Sequence, residues 1–166
     1  MQQSKKCSKE NIMPQSLAQC WLHLIWSTRH RWPFLIDPEA QMAMHRYLAK
    51  TCVVLKCHPI EVGGMADHVH LLCSLHKTLS IAGLVEELKK SSSKWIKGLQ
   101  HLDEDLGKFY WQKGYGAFSV SQSNLMAVRK YIVNQAHHHH NSDFQDEFRS
   151  FLEHHQIPYD ERYVWD

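Results

Sequence analysis

The stretch GGMADHVHLL, residues 63–72, sets two histidines around one valine: His68, Val69, His70. Side chains alternate along a β-strand, so both imidazoles face the same way, about 7 Å apart along the strand. Two imidazoles so placed can converge on one metal ion. In a chain with 14 histidines, the same spacing also fits two residues hydrogen-bonded or solvated on a half-open sheet. A second pair lies in YIVNQ. On a helix Tyr131 and Gln135 stand at i and i+4, on one side, beside an apolar stripe of Leu125, Val128, Ile132 and Ala136. A phenol attacks phosphorus once its proton is removed and the phosphate is polarised. The Gln135 amide oxygen is a donor that can join the same ion. The plainer alternative is a tyrosine that closes the edge of the core.

Chemistry on a nucleic acid needs positive charge and flat faces. Arg29, His30 and Arg31 follow the first apolar stretch, and Lys89, Lys90, Ser92, Lys94 and Lys97 run along one predicted helix where they could meet phosphates. Arg29, Arg31, Lys90, Ser92 and Lys94 are the DNA-binding candidates. Trp95, Trp111 and Tyr115 are candidates for stacking on unpaired bases. The alternative for each charge is a solvated face, and for each ring a place in the core.

The elements that must position these groups can be read in order. CWLHLIWST, residues 20–28, reads as a buried strand. Asp37-Pro38 reads as an N-cap followed by proline at the first helical position, opening a helix from Glu39 to about Lys56. HPIEV is a second strand, closed by a bend or bulge at Gly63-Gly64. DHVHLLCSL is the third, antiparallel to the second, and places Val69, Leu71 and Cys73 on the face away from the histidines. Ser80 caps a helix carrying Ile81, Leu84, Val85, Leu88, Trp95 and Ile96. Gly98–Lys108 is a polar connection, and a short strand runs from about Ala117 to Val120. Ser121 or Ser123 caps a third helix, through about His138, and a fourth spans roughly Phe144 to His155. The order βαββαβ plus carboxy-terminal helices predicts an α+β fold: a ferredoxin-like antiparallel sheet with helices on one face.

With 166 residues, 43% hydrophobic and 22% charged, the chain reads as one soluble globular domain, and its net charge of +2 is compatible with a nucleic-acid partner. Five cysteines, an odd number with no CxxC spacing, predict free thiols in a reducing compartment. No apolar run reaches membrane-spanning length and no signal peptide is evident, so a cytoplasmic address is expected. Residues 1–12 are polar and lack periodicity, which predicts a flexible extension.

The ordered set GGMADHVHLL, KKSSSKWIK, FYWQKGYGAFSVS and VRKYIVNQ resembles the HUH-type single-tyrosine transposases, small insertion-sequence enzymes that act on single-stranded DNA. The opening PQSLAQCWLHLIWSTRHRWPFL and the ending YDERYVWD are similar to that family too, so the resemblance spans residues 13–166, with Met13 an alternative start. It implies that His68 and His70 bind the divalent ion, Mg2+ or Mn2+, with Gln135 completing the metal site and Tyr131 as the catalytic nucleophile. It further implies a covalent 5′-phosphotyrosine intermediate, single-stranded DNA with hairpin ends as partner, a homodimer assembled in cis or in trans, and no small-molecule cofactor. Two alternatives stay open: a domesticated relative that processes genomic repeat hairpins, and a nucleic-acid-binding module without chemistry. A zinc hydrolase is a weaker idea, since no carboxylate stands at convincing ligand spacing. The run His137 to His140 reads as a solvated helix end or an adventitious metal binder.

Overall fold

A computed structural model of the chain describes residues 16–135 and 143–165. The extension expected at residues 1–12, the His137–His140 run and the predicted end of the third helix at His138 lie outside the described residues.

Strand β1 (Trp21–Ser27) is buried from its second residue onward, as a central strand covered on both faces must be. Helix α1 (Pro38–Val54) begins where the Asp37 side chain accepts the Ala40 N–H at 2.8 Å and Pro38 supplies a preset φ. Strands β2 (Pro59–Met65) and β3 (His68–Ser74) pair antiparallel. Helix α2 (Ile81–Lys97) is capped by Ser80, which accepts from Gly83 N–H at 3.0 Å, and buries Leu84, Val85, Leu88 and Ile96. Strand β4 (Gly116–Val120) follows, then helix α3 (Leu125–Val133) and helix α4 (Phe144–His154). Asp143 caps α4 by accepting the Asp146 N–H at 2.9 Å.

The sheet order is β2-β3-β1-β4 and all three pairings are antiparallel, the expected ferredoxin-like arrangement. Alternation divides the sheet's side chains between two layers. Leu22, Leu24 and Trp26 of β1 and Val69, Leu71 and Cys73 of β3 pack against Met44, Leu48 and Cys52 of α1 and the buried stripe of α2. The opposite face carries Ile25, Phe118 and Leu72, covered by Phe144, Phe148 and Leu152 of α4 and by Leu125 and Ile132 of α3. The carboxy-terminal helices therefore close the face that holds the histidines, and that face is not half-open.

Three expectations are corrected. Gly63 and Gly64 do not end β2; they pair with His70 and Val69, and the irregularity in β2 falls between Pro59 and Glu61. Glycine is needed there for close approach. A Cβ on Gly64, at φ 138°, would stand 2.2 Å from the His68 carbonyl oxygen, and one on Gly63 would stand 2.7 Å from Ile132 Cγ2. Helix α3 stops at Val133, and Asn134, at φ −94° and ψ 17°, interrupts it before Gln135. Neither Ser121 nor Ser123 caps α3: a 3-10 turn, Gln122–Asn124, intervenes, the two serine hydroxyls meet each other at 3.0 Å, and the helix starts after Asn124 without a side-chain cap.

Candidate active site

Strand β3 carries His68 and His70 on the face beneath α3 and α4, and neither retains any exposed surface. Buried imidazoles need partners for both ring nitrogens. Nδ1 of His68 lies 2.7 Å from Asp67 Oδ1, and Nδ1 of His70 lies 3.0 Å from Nε2 of His23 on β1. Each Nε2 then faces an oxygen: Gln135 Oε1 stands 3.5 Å from His68 Nε2, and Glu147 Oε2 stands 3.7 Å from His70 Nε2. The two oxygen-bearing residues are joined, because Gln135 Nε2 donates to Glu147 Oε1 at 2.8 Å. His68, His70 and Glu147, all buried, offer ligand atoms within 4.8 Å of one another. Two imidazoles and one carboxylate form a donor set that fits a divalent metal ion.

The surrounding electrostatics follow from burial. Burial pushes the Glu147 carboxyl up to about 7, with His68 acting against that rise. Burial also acts to raise Asp67, but the hydrogen bond from His68 and the contact of Arg31 outweigh it, so its carboxyl stays below the usual carboxylate range. Arg31 holds Asp67 Oδ2 through Nε at 3.1 Å and Nη2 at 3.0 Å. His23 is held well below the ordinary imidazole range, first by burial and then by the charges of His70 and His155.

Tyr131 is half-buried on α3. Its ring centre is 6.0 Å from that of His70 and 5.6 Å from that of Phe151 on α4, which also packs 5.1 Å from His23. Gln135 is more deeply buried than Tyr131, since the break at Asn134 turns it inward. His68, His70, Tyr131 and Gln135 thus gather in one place within one chain.

Glu147, Asp67 and His23 were not singled out by sequence reasoning. Glu147 had a signal: it lies inside the stripe Phe144, Phe148, Leu152, where a carboxylate is out of place. Asp67 immediately precedes the histidine pair. His23 gave none, because its partner is fixed only by the register that sets His23 opposite Leu72 and Ile25 opposite His70.

The DNA-binding candidates separate. Arg29, Lys90 and Lys94 are exposed, although Lys90 keeps a 3.6 Å surface pair with Glu87. Arg31 is committed to Asp67 while about a third of its side chain stays exposed. Ser92 is corrected: it is fully buried, donates to Leu88 O at 2.6 Å and accepts Trp111 Nε1 at 2.9 Å, so it faces no phosphate. Lys89 is likewise turned inward, with Nζ 2.6 Å from Gly114 O and 3.0 Å from Gln112 O. Trp111 is a core residue, and Trp95 stacks on Tyr47 with ring centres 4.7 Å apart. Tyr115 remains exposed, as does Tyr110, which with Arg29, His30, Lys113 and Trp165 lines a cavity of about 530 Å³. Among the described residues no helix is long and apolar enough to cross a membrane.

Comparison with known proteins adds a lineage. The family model for IS200-like transposases matches residues 16–135. The ISDra2 transposase TnpA of Deinococcus radiodurans is 30% identical over 115 residues, covering 68% of this chain and 81% of that protein. A crystal structure of a transposase candidate from Deinococcus radiodurans R1 superposes with a TM-score of 0.58 at 26% identity, covering 74% of this chain and 95% of the other. A REP-associated tyrosine transposase bound to a REP hairpin has a TM-score of 0.53 at 15% identity, with 76% and 73% covered, a likeness of fold.

Proposed function

Because the chain belongs to the IS200-like transposase family, we propose that it cleaves and rejoins single-stranded DNA through a covalent link between Tyr131 and a 5′ phosphate. The observation that carries this reading is the convergence of Tyr131, 6.0 Å ring to ring from His70, on a buried pair of histidines whose outer nitrogens already have partners. His68, His70 and Gln135 would hold Mg2+ or Mn2+. The bound ion would polarise the scissile phosphate and stabilise the charge that develops on it.

The chain's own residues do the rest. Asp67 and His23 fix the two imidazoles so that each turns Nε2 inward. Tyr131 attacks phosphorus as its phenol proton passes to solvent, a phosphotyrosine bond forms, and the bond to the 3′ oxygen breaks, that oxygen taking up a proton from solvent to become a 3′ hydroxyl. A second 3′ hydroxyl then displaces the tyrosine and joins two ends, so the phosphodiester energy is retained without nucleotide hydrolysis. Arg29, Lys94 and Lys90 are the proposed phosphate contacts, with Tyr110 and Tyr115 as exposed stacking faces. The proposed domain runs over residues 13–166. The proposed partners are single-stranded DNA with hairpin ends and a second copy of the chain. That all four site residues meet within one chain favours a site assembled in cis.

The test is a denaturing gel with labelled single-stranded DNA carrying the hairpin end that flanks the gene, in Mg2+ or Mn2+. A protein–DNA adduct is expected from the wild type, and none from Tyr131→Phe or His68→Ala. Tight DNA binding with no adduct under either metal would favour a binding module without chemistry.

A further inference from the structure

We propose that Glu147 is a carboxylate ligand of the metal centre, so that α4, which lies beyond the residues 16–135 matched by the family model, is part of the active site. The inference rests on the metal-dependent reading of His68 and His70 given above.

Glu147 occupies a core position. Its neighbours along the helix stripe, Phe144, Phe148 and Leu152, pack against Ile25 and Phe118 of the sheet. A carboxylate in that stripe is costly unless it meets hydrogen-bond donors or a cation. Its two oxygens divide the work. Oε1 accepts from Gln135 Nε2 at 2.8 Å, and Oε2 stands 3.7 Å from His70 Nε2. The first contact also sets the orientation of Gln135: with its amide nitrogen turned to Glu147, its oxygen is the atom left facing His68. One carboxylate thus orients one proposed ligand and stands beside another.

The spread of the cluster is compatible with one ion. Donors bound about 2.1 Å from a metal lie about 3 to 4 Å apart, and the three ligand atoms are within 4.8 Å of one another before any ion draws them in. The donor types also discriminate. Imidazole nitrogens suit transition ions and a carboxylate suits hard ones, so the mixed set favours Mn2+ over Mg2+. The same helix brings Phe151 against the rings of Tyr131 and His23. Seating α4 would therefore complete the metal site and enclose the nucleophile in one step.

The deciding experiment titrates Mn2+ into the metal-free full chain by calorimetry, using the wild type, Glu147→Gln and His68→Ala. Glutamine keeps the volume and an acceptor for Gln135 but removes the charged ligand. The expected result is an affinity more than about 100-fold weaker in E147Q, beyond the loss of about 10-fold to 100-fold that follows removal of a ligand's outer partner, with its melting temperature in EDTA unchanged. A role confined to orienting Gln135 or filling the core would cost no more than that smaller loss. If E147Q binds Mn2+ like the wild type, or with only that smaller loss, while H68A does not bind, the ligand assignment for Glu147 is overturned and the histidine reading stands. If the wild type takes up no Mn2+, or H68A binds equally well, the reading of the whole site falls and this inference with it. Should E147Q lose its cooperative melt, Glu147→Asp decides. It keeps the charge but withdraws the carboxylate by one methylene from both His70 and Gln135, so a loss of more than about 100-fold supports the proposal, and a smaller loss or wild-type binding overturns it.

Discussion

Oδ1 of Asp67 lies 2.7 Å from Nδ1 of His68, the residue directly after it in the chain. Arg31 holds the other carboxylate oxygen at 3.0 Å. A charged partner on the outer nitrogen of a metal-binding histidine fixes its tautomer and ring orientation. Arg31 was expected to meet DNA phosphate, and here it is joined to the site through Asp67.

That linkage gives Arg31→Ala a distinctive signature. A pure phosphate contact would weaken DNA binding at every sequence and lower the salt slope by about 1. A buttress of Asp67 and His68 would instead slow adduct formation at saturating DNA, by about 10-fold or more. The second pattern is expected, read from single-turnover gels at increasing DNA. A loss confined to the dissociation constant would return Arg31 to the phosphate contacts.

Gly63 lies directly beneath Ile132 of α3. A Cβ there would stand 2.8 Å from the Ile132 carbonyl oxygen, and a backbone atom cannot turn aside as a side chain can. Gly63→Ala should cost about 1–3 kcal/mol by overpacking and push the Tyr131–Gln135 segment away from the histidines. Urea denaturation and the rate of adduct formation check the two halves. The expected outcome is a folded protein whose rate falls more than its DNA affinity.

Ser92→Ala separates the burial seen in the structure from the role expected from the sequence. Removing its hydroxyl strands the buried Trp111 N–H, which should cost about 1–3 kcal/mol of stability and leave the salt dependence of DNA binding unchanged. Lys94→Ala, on the exposed side of α2, should leave stability alone and flatten that salt dependence. Parallel denaturation and binding titrations at two salt concentrations distinguish them.

The fold was legible because local signals agreed with one another. Asp37-Pro38 and Ser80 marked helix starts that the structure bears out, and the alternating strand residues gave the correct inner and outer faces. Apart from the serines before α3, which do not cap it, the failures were contacts between distant elements. GG resembles a turn, and only the approach of Ile132 explains why two glycines continue a strand. Lys89 and Ser92 share a helix with exposed Lys90 and Lys94, yet a shift of one or two positions decides between solvent and core. In the site, the two histidines could be read from their period of two. Glu147 could not, because α4 joins them across 77 residues of chain from His70, and only its misfit within an apolar stripe hinted at a partner.

Lys89 carries the last prediction. Its ammonium is enclosed between Trp26 and Tyr115 and donates to the carbonyls of Gln112, Lys113 and Gly114. Burial pushes it down to about 8, whereas a lysine in the unfolded chain titrates at about 10.4. Between those values the unfolded chain binds more protons than the folded one, so this group makes stability rise with pH. The gain is on the order of 1–3 kcal/mol. The Cys57 thiol, raised by burial, and the Cys73 thiol, raised by its contact with Cys52, act in the opposite direction, but they are common to wild type and variant. The stability of the wild type minus that of Lys89→Met, measured by urea denaturation, should therefore increase from pH 8 to pH 10. A flat difference across that window would mean that the Lys89 ammonium keeps its charge in the folded chain and that its three carbonyl partners offset the burial.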